Sequence, residues 1–424
     1  MAEKVALTAA EGIHAGNPRV PQTFAVAALF SGGPPDLEAL RGRVAARWGP
    51  VTRLRRVLPV SRPPLGVGRQ RWDVLDHFDP ARHVVASADG GDLTDLLAAT
   101  VSRRLSAGLP PWRLRVVPHI GRDGFALVLT VHHALMDGAS AQTLLDRLLD
   151  GPSPPAGRNV SSAPVGDHGP TRPGVPTGDT GAARLTLGLL RPSRRLPTGS
   201  TRTLPQATWR PLDAGVFAAA RNALPGQAVT RTEMVLVAAA GALRAVYGPP
   251  EAWAGRPGPV CAGVPVSTRS ETGELGNMLS GLRVTLPVTA AHPRARLTAC
   301  RGVVGALRTE HAQIGTRVLE TAGRLGPPAL RGLAALQPHI APIGCTSFRW
   351  KQGPWSLEGR PLTRVIMVPA LSVAGTCYFV VTECDDALTL CVGAHAPARH
   401  ARLLAAAFER ELAVLAPPES LPVG

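Results

Sequence analysis

Apolar positions along the chain follow two rhythms, one of extended strands and one of helices. TFAVAALFSG (23–32) predicts a strand. DLEALRGRVAARWG (36–49) places Leu37, Leu40, Val44 and Trp48 at helical spacing. Leu93 to Leu105 predicts another helix. PWRLRVVPHI (111–120) and GFALVLTVHH (124–133) predict paired strands joined by the turn Gly121-Arg122-Asp123-Gly124, and the second, apolar at both odd and even positions up to Thr130, predicts a strand covered on both faces and central to its sheet. Beyond them Ser140 is placed to cap a helix carrying Leu144, Leu145, Leu148 and Leu149. In the second half, TRTEMVLVAAAGALRAVYG (230–248) predicts a long helix, and PVCAGVPVST and SGLRVTLPV predict strands. YFVVTECDDALTLCVGAH (378–395) predicts a hairpin and ARHARLLAAAFERELAVL (398–415) a closing helix.

Between these halves, residues 151–205 are dense in Pro, Gly, Ser and Thr and poor in large apolar residues. Such a segment buries too little surface to offset its ordering entropy, so it predicts a flexible linker, with a short helix around Ala183 to Leu190. The expected organisation is an N-terminal lobe (1–150), the linker (151–205) and a C-terminal lobe (206–424). Strands and helices alternate in both lobes, which predicts an α/β fold built of two-layer lobes.

Composition adds to this picture mainly through charge. The 424 residues carry a formal net charge of +16, and Lys4 and Lys351 are the only lysines, so the excess is arginine. A bias toward Ala, Arg, Gly and Pro accounts for that charge without function. A functional reading is attraction to anionic partners: cofactor phosphates, an acidic carrier protein or a membrane surface. Zinc-finger spacing, RNP-like aromatics and a compact basic helix are all lacking, which argues against nucleic acid. The six cysteines form no CxxC pair, and MAEKVALTAAEG has neither basic flank nor apolar core. Reduced, buried thiols in a cytoplasmic protein without a signal peptide are the expectation. No apolar run is long enough to span a bilayer, which leaves peripheral contact with a membrane surface open.

The candidate chemistry lies at TVHHALMDGAS (130–140). Successive side chains on a strand face opposite ways, so one of His132 and His133 can hold local structure while the other enters a cavity. Asp137 is placed to fold back beneath the imidazoles, and Gly138 to permit the tight turn this needs. Adjacent strand histidines point apart and have no evident third ligand, so no metal site is expected. No serine or cysteine nucleophile accompanies them. The chemistry that suits the pair is general-base catalysis: an imidazole takes the proton from an acceptor hydroxyl or amine as that group attacks an activated acyl carbonyl. Two structural histidines at the end of a core strand are the bland alternative.

HHALMDG resembles the HHxxxDG motif of the acyltransferase superfamily that includes peptide-synthetase condensation domains, chloramphenicol acetyltransferase and the wax ester synthase/diacylglycerol acyltransferase family. The rest of the chain looks most like the last of these. LTAAE (7–11), WDVLDHFDPARHVV (72–85) with Trp72, Phe78, Asp79 and His83, LPPWRLRVV, GALR (241–244), VPVSTR (264–269) and Gly276-Asn277 occur in the family's order. The resemblance implies two chloramphenicol-acetyltransferase-like lobes in a V-shaped pseudo-dimer with a tunnel at the interface. It implies His133 as the base, His132 and Asp137 as supports, Asp137 pairing with Arg269, and Gly138 offering an amide near the thioester. Asn277 and Trp112 are implied substrate contacts, though Asn277 could equally cap a strand. No bound cofactor is implied. The donor would be acyl-CoA or an acyl-carrier-protein thioester, and the acceptor a hydroxyl or an amine.

Three elements depart from the family pattern. Thr232-Glu233 stands where an Asn-Asp pair is usual, Pro110-Pro111-Trp112 replaces Pro-Leu-Trp, and TSFRWKQGP (346–354) replaces a Ser-Asn-Val-Pro-Gly-Pro stretch. These leave the acceptor open between a lipid alcohol, diacylglycerol and a specialised metabolite. Arg349, Trp350, Lys351 and Trp355 either reshape one tunnel mouth or form a surface loop packed by its own tryptophans. A non-catalytic pair of lobes binding an acyl carrier or lipid is the alternative of another class.

Overall fold

The computed structural model of the protein describes residues 3–15, 20–58, 70–87, 92–121, 123–151, 191–197, 203–253, 257–269, 275–350, 353–371 and 373–416, without the side chains of 308–312. Most of the expected linker, including Ala183 to Leu190, and Lys351 lie outside the described residues.

The first sheet is built around β2 (Thr23–Ser31) and β7 (Gly124–His132), which pair antiparallel in register from Thr23↔His132 to Ser31↔Gly124. β6 (Trp112–Ile120) pairs with the other edge of β7, so β7 is central as its two-sided apolar run predicts. Phe125, Ala126, Leu127, Leu129 and Val131 are fully buried. β5 (Val84–Ala86) and β12–β13 (Ser356–Leu357, Arg360–Val368) complete this sheet, in the order β12-β13-β2-β7-β6-β5. A small sheet of β1 (Glu3–Ala6), β4 (Arg71–Val74) and β3 (Arg56–Val57) lies outside it.

The second large sheet has the order β10-β9-β11-β14-β15-β8. Its strands are β8 (Thr203–Leu212), β9 (Cys261–Ser267), β10 (Leu279–Thr285), β11 (Ile343–Arg349), β14 (Thr376–Cys384) and β15 (Ala387–Pro397). The helices Arg231–Tyr247 and His400–Leu415 pack on it around a second apolar core. Helix Arg231–Tyr247 starts at a reciprocal cap: the Thr230 side chain accepts from the Glu233 N–H, and the Glu233 carboxylate accepts from the Thr230 N–H. Glu233 also takes the Val304 N–H at 3.2 Å. The Thr-Glu pair at this helix start is therefore a structural cap.

The break between the halves is not clean. β13 comes from the C-terminal half yet pairs with β2 along Ala25–Phe30. Arg364 on β13 donates to the Leu388 carbonyl and the Thr389 hydroxyl at 2.9 Å each, tying β13 to β15. An edge strand exposed on either sheet would leave ladder groups unpaired, and this exchange closes the edge of β2. Two helices, Val303–Leu325 and Pro327–Ile340, follow in a stretch where no element was read from the sequence. Trp350 is fully buried in the first core, and Trp355 packs beside Gly151, so both tryptophans fill space between elements.

Helix α1 (Ala9–Ala15) is short but anchored. Thr8 and Glu11 form a reciprocal cap at 2.9 and 3.2 Å. The buried Glu11 carboxylate also accepts from Arg53 at 2.7 Å and from the Trp72 indole at 3.0 Å. Those bonds fix α1 against the first lobe, beside the end of β7.

Candidate active site

β7 delivers the histidine pair, and the chain leaves the strand immediately afterwards. The His133 N–H donates to the Gln22 carbonyl at 2.7 Å, and the Leu135 N–H to the His132 carbonyl at 2.8 Å. His132 Nδ1 accepts from the Ala134 N–H at 3.1 Å, so this ring holds the turn. Burial, with His14 and Arg104 nearby, pushes its pKa down to about 3, and it stays neutral at ordinary pH.

Asp137 is fully buried and does not bond to either imidazole. It is the N-cap of α5 (Gly138–Leu148), accepting from the Ser140 N–H at 2.9 Å. Asp137 thus takes the capping role expected of Ser140, because the helix begins at Gly138 and Ser140 already lies in its first turn. Its carboxylate also accepts from Arg269 at 2.6 Å and from the Met278 N–H at 2.9 Å. The expected Asp137–Arg269 pair is therefore present. The Ser140 hydroxyl joins the same network, donating to the Gly276 carbonyl at 2.8 Å and accepting from Arg269 at 2.7 Å. Arg269, Gly276 and Met278 of the second half are in this way locked onto the motif loop of the first.

Gly138 has no left-handed φ, so the turn does not require glycine for conformational reasons. The requirement is space: a Cβ there would lie 2.9 Å from Met367 Cε and 3.0 Å from its sulfur. Gly276 is small for a similar reason, since a Cβ would lie 3.0 Å from the Arg53 guanidinium. Arg53 in turn donates to the Leu135 carbonyl at 2.7 Å.

Asn277 reaches His133 directly. Its amide nitrogen is 3.0 Å from the His133 carbonyl, 3.4 Å from the Ala10 carbonyl and 3.2 Å from His133 Nδ1. The Nδ1 contact holds the ring in place, and its sense depends on which ring nitrogen carries the proton. Burial lowers the His133 pKa; Asp137 and a main-chain hydrogen bond act against that, and His132 adds to it. The residue as a whole is half-buried.

Trp112, expected as a substrate contact, is buried among core residues. It is 2% exposed, its indole donates to the Leu54 carbonyl at 2.9 Å, and its ring stacks on His83 at 4.2 Å. A tryptophan opening a strand next to the motif strand is drawn into the core by its own apolar area. Sequence reasoning missed two residues that the fold brings to His133. His14, on α1, stacks on its ring at a centroid distance of 4.3 Å and an interplanar angle of 13°. Gln22 accepts from both. The only sequence signal for either is the LTAAE segment that starts α1. Among the described residues no group of three His, Cys, Asp or Glu is placed to hold a metal ion. No helix among them is long and apolar enough to cross a membrane.

Two mixed lobes that trade a strand, with paired histidines at the end of a central strand, define a two-lobed fold of chloramphenicol acetyltransferase type. The condensation domain of the polyketide synthase MokA aligns over 99% of this chain and 98% of its own, with a TM-score of 0.62 at 14% identity. The wax ester synthase/diacylglycerol acyltransferase of Marinobacter aquaeolei aligns over 97% of this chain and 100% of its own, with a TM-score of 0.64 at 18% identity. The family model for the wax ester synthase/diacylglycerol acyltransferase catalytic domain matches residues 18–246, and the chain belongs to that family. A Mycobacterium tuberculosis protein named as a probable diacylglycerol O-acyltransferase, tgs1, is 33% identical over 128 residues, 29% of this chain and 27% of that protein. A second protein of that species with the same provisional activity in its name is 26% identical over 284 residues, 61% of this chain and 59% of its own length. The chain thus aligns with only part of these curated relatives.

Proposed function

We propose that this chain is an acyltransferase that moves an acyl group from an acyl-CoA or carrier-protein thioester to an acceptor hydroxyl, with His133 as general base. The observation that carries this reading is the held imidazole at the end of the central strand: Asn277 lies 3.2 Å from Nδ1 and His14 stacks on the ring face, and the proposal gives Nε2 the lone pair of the base. Nε2 takes the hydroxyl proton as the oxygen attacks the thioester carbonyl. The tetrahedral oxyanion collapses, the C–S bond breaks, and the imidazolium returns the proton to the departing thiolate. A positioned base contributes roughly 100- to 10,000-fold to such a step. His132, Asp137 and Arg269 hold the loop, Asn277 holds the ring, and the Gly138 N–H, one of the free amides at the start of α5, faces the thioester. The names of the mycobacterial relatives favour a lipid hydroxyl as acceptor.

The test follows thiol release from a panel of acyl-CoAs with fatty alcohols, diacylglycerol and amines. Release that depends on an alcohol or diacylglycerol supports the proposal. Release with amines alone replaces it by condensation-type chemistry, for which the shared condensation-domain fold is the supporting observation. Acyl-CoA binding with no release under any acceptor overturns it in favour of a binding protein.

A further inference from the structure

His14 stands over the ring that the proposed mechanism uses, and nothing in the HHxxxDG motif accounts for it. The two imidazoles are nearly parallel, 13° apart, with centroids at 4.3 Å, while Phe24 closes a second side of His133 at 5.2 Å and 55°. His14 Nδ1 lies 2.8 Å from Gln22 Oε1, an atom that can only accept, so Nδ1 carries the His14 proton. Gln22 is also the residue whose main-chain carbonyl accepts from the His133 N–H at 2.7 Å. It does both with φ at 55°, a left-handed conformation that is costly for any side chain other than glycine. A strained residue that grips one histidine by its main chain and another by its side chain fixes the relative placement of the two rings.

We propose that His14 is a positioning residue for the His133 base, clamping the plane of its imidazole by stacking on its face, with Gln22 as the shared anchor. Stacked rings present faces to each other, so no proton passes between them, and His14 is not a relay. Its contribution is orientation, plus a neutral π face beneath the imidazolium that forms when His133 takes the acceptor proton. His14 stays neutral for this because burial beside His133 pushes its pKa down to about 3. The functional part of the inference rests on the acyltransferase reading, and the structural part does not.

The experiment compares His14→Ala, His14→Phe and His14→Leu in the full chain by two readouts. Long-range proton–nitrogen NMR of histidine-labelled protein, with His133→Ala to assign the resonances, reports the His133 tautomer without any substrate. The wild type and His14→Phe should show one dominant tautomer, and His14→Ala should show averaging between tautomers. Under turnover, His14→Ala should lower kcat on the order of 10-fold with KM nearly unchanged, and His14→Phe should recover most of the loss. An unchanged His133 spectrum in folded His14→Ala overturns the proposal, whether or not any thioester turns over. If the alanine variant does not fold, the leucine variant decides: Leu fills the space without a π face, and behaviour equal to that of Phe overturns the proposal. Intact NMR behaviour with no turnover by the wild type sinks the acyltransferase reading alone.

Discussion

Replacing Asp137 with alanine removes three acceptor roles from one fully buried carboxylate: the α5 cap, the Met278 N–H and the Arg269 guanidinium. Loss of an N-cap costs about 1 kcal/mol. A buried N–H left without a partner costs about 1–3 kcal/mol, and removing one partner of a buried ion pair about 3–5 kcal/mol. Arg269 keeps 12% of its side-chain surface exposed and retains the Ser140 hydroxyl and Gly276 carbonyl, so the upper figures do not simply add. A net loss of about 4 kcal/mol is expected, a large share of the roughly 5–15 kcal/mol that stabilises a typical domain. With an unfolding entropy of about 2.1 cal/mol/K per residue, that lowers the melting temperature by about 4 °C if the whole chain melts together, and by more if one lobe melts first. Asp137→Asn should fall between wild type and alanine. One carboxamide oxygen can keep the Ser140 and Arg269 contacts, but its NH2 then faces the Met278 N–H, donor against donor. The assay is chemical denaturation of the single variants, Arg269→Ala and the double variant. The double should be less destabilised than the sum of the singles by about 2 kcal/mol. Additive effects, or an Asp137→Ala midpoint equal to that of wild type, would refute the reading of Asp137 as the clasp that ties the motif loop to Arg269 and Met278.

Gly138→Ala should destabilise by about 1–2 kcal/mol through the Met367 contact, and Met367→Ala in the same chain should recover part of that, as read by melting temperature. Gly241→Ala should be more severe, on the order of 3 kcal/mol. Its Cβ would lie 2.3 Å from the Glu411 carboxyl carbon, and Glu411 makes two bonds of 2.7 Å to buried Arg296. The acid limb of kcat/KM should fall below the ordinary imidazole value of 6.5, since burial lowers the His133 pKa and the base acts only when neutral. Stability should shift in the same direction. His14 and His132 titrate near 3 in the folded chain against 6.5 when unfolded. Below that unfolded value the unfolded state binds more protons, so the melting temperature should decline as pH drops from 6.5 toward 3. Gln22→Gly relieves a left-handed φ while releasing His14, so it should leave stability within about 1 kcal/mol of wild type and still lower kcat.

The elements nearest the chemistry are the ones their own side chains specify. The apolar run of β7 can only be a covered strand, and the histidines sit where it ends. The Leu144, Leu145 and Leu148 stripe of α5 is equally local, and all three side chains are fully buried. The Asp137–Arg269 pair was legible through the family resemblance, because both residues belong to its motifs. What stayed hidden depends on contacts between distant segments. Nothing along residues 356–368 says that they will pair with β2. Trp112 carries the same side chain in a core or a pocket, and the Leu54 carbonyl 58 positions away decides between them. His14 and Gln22 have no motif of their own, and their relation to His133 exists only once α1 is pinned by Glu11, Arg53 and Trp72. The left-handed φ of Gln22 is likewise invisible in a residue type that rarely adopts it.

The most direct measurement is the rate of thiol release from acyl-CoA by His133→Ala, with alcohol or diacylglycerol as acceptor, alongside a melt showing that the variant is folded. Loss of roughly 100- to 10,000-fold in kcat with the fold retained is expected for a ring whose Nε2 is the base. Turnover within a few-fold of wild type in the folded variant would mean that some other group removes the acceptor proton.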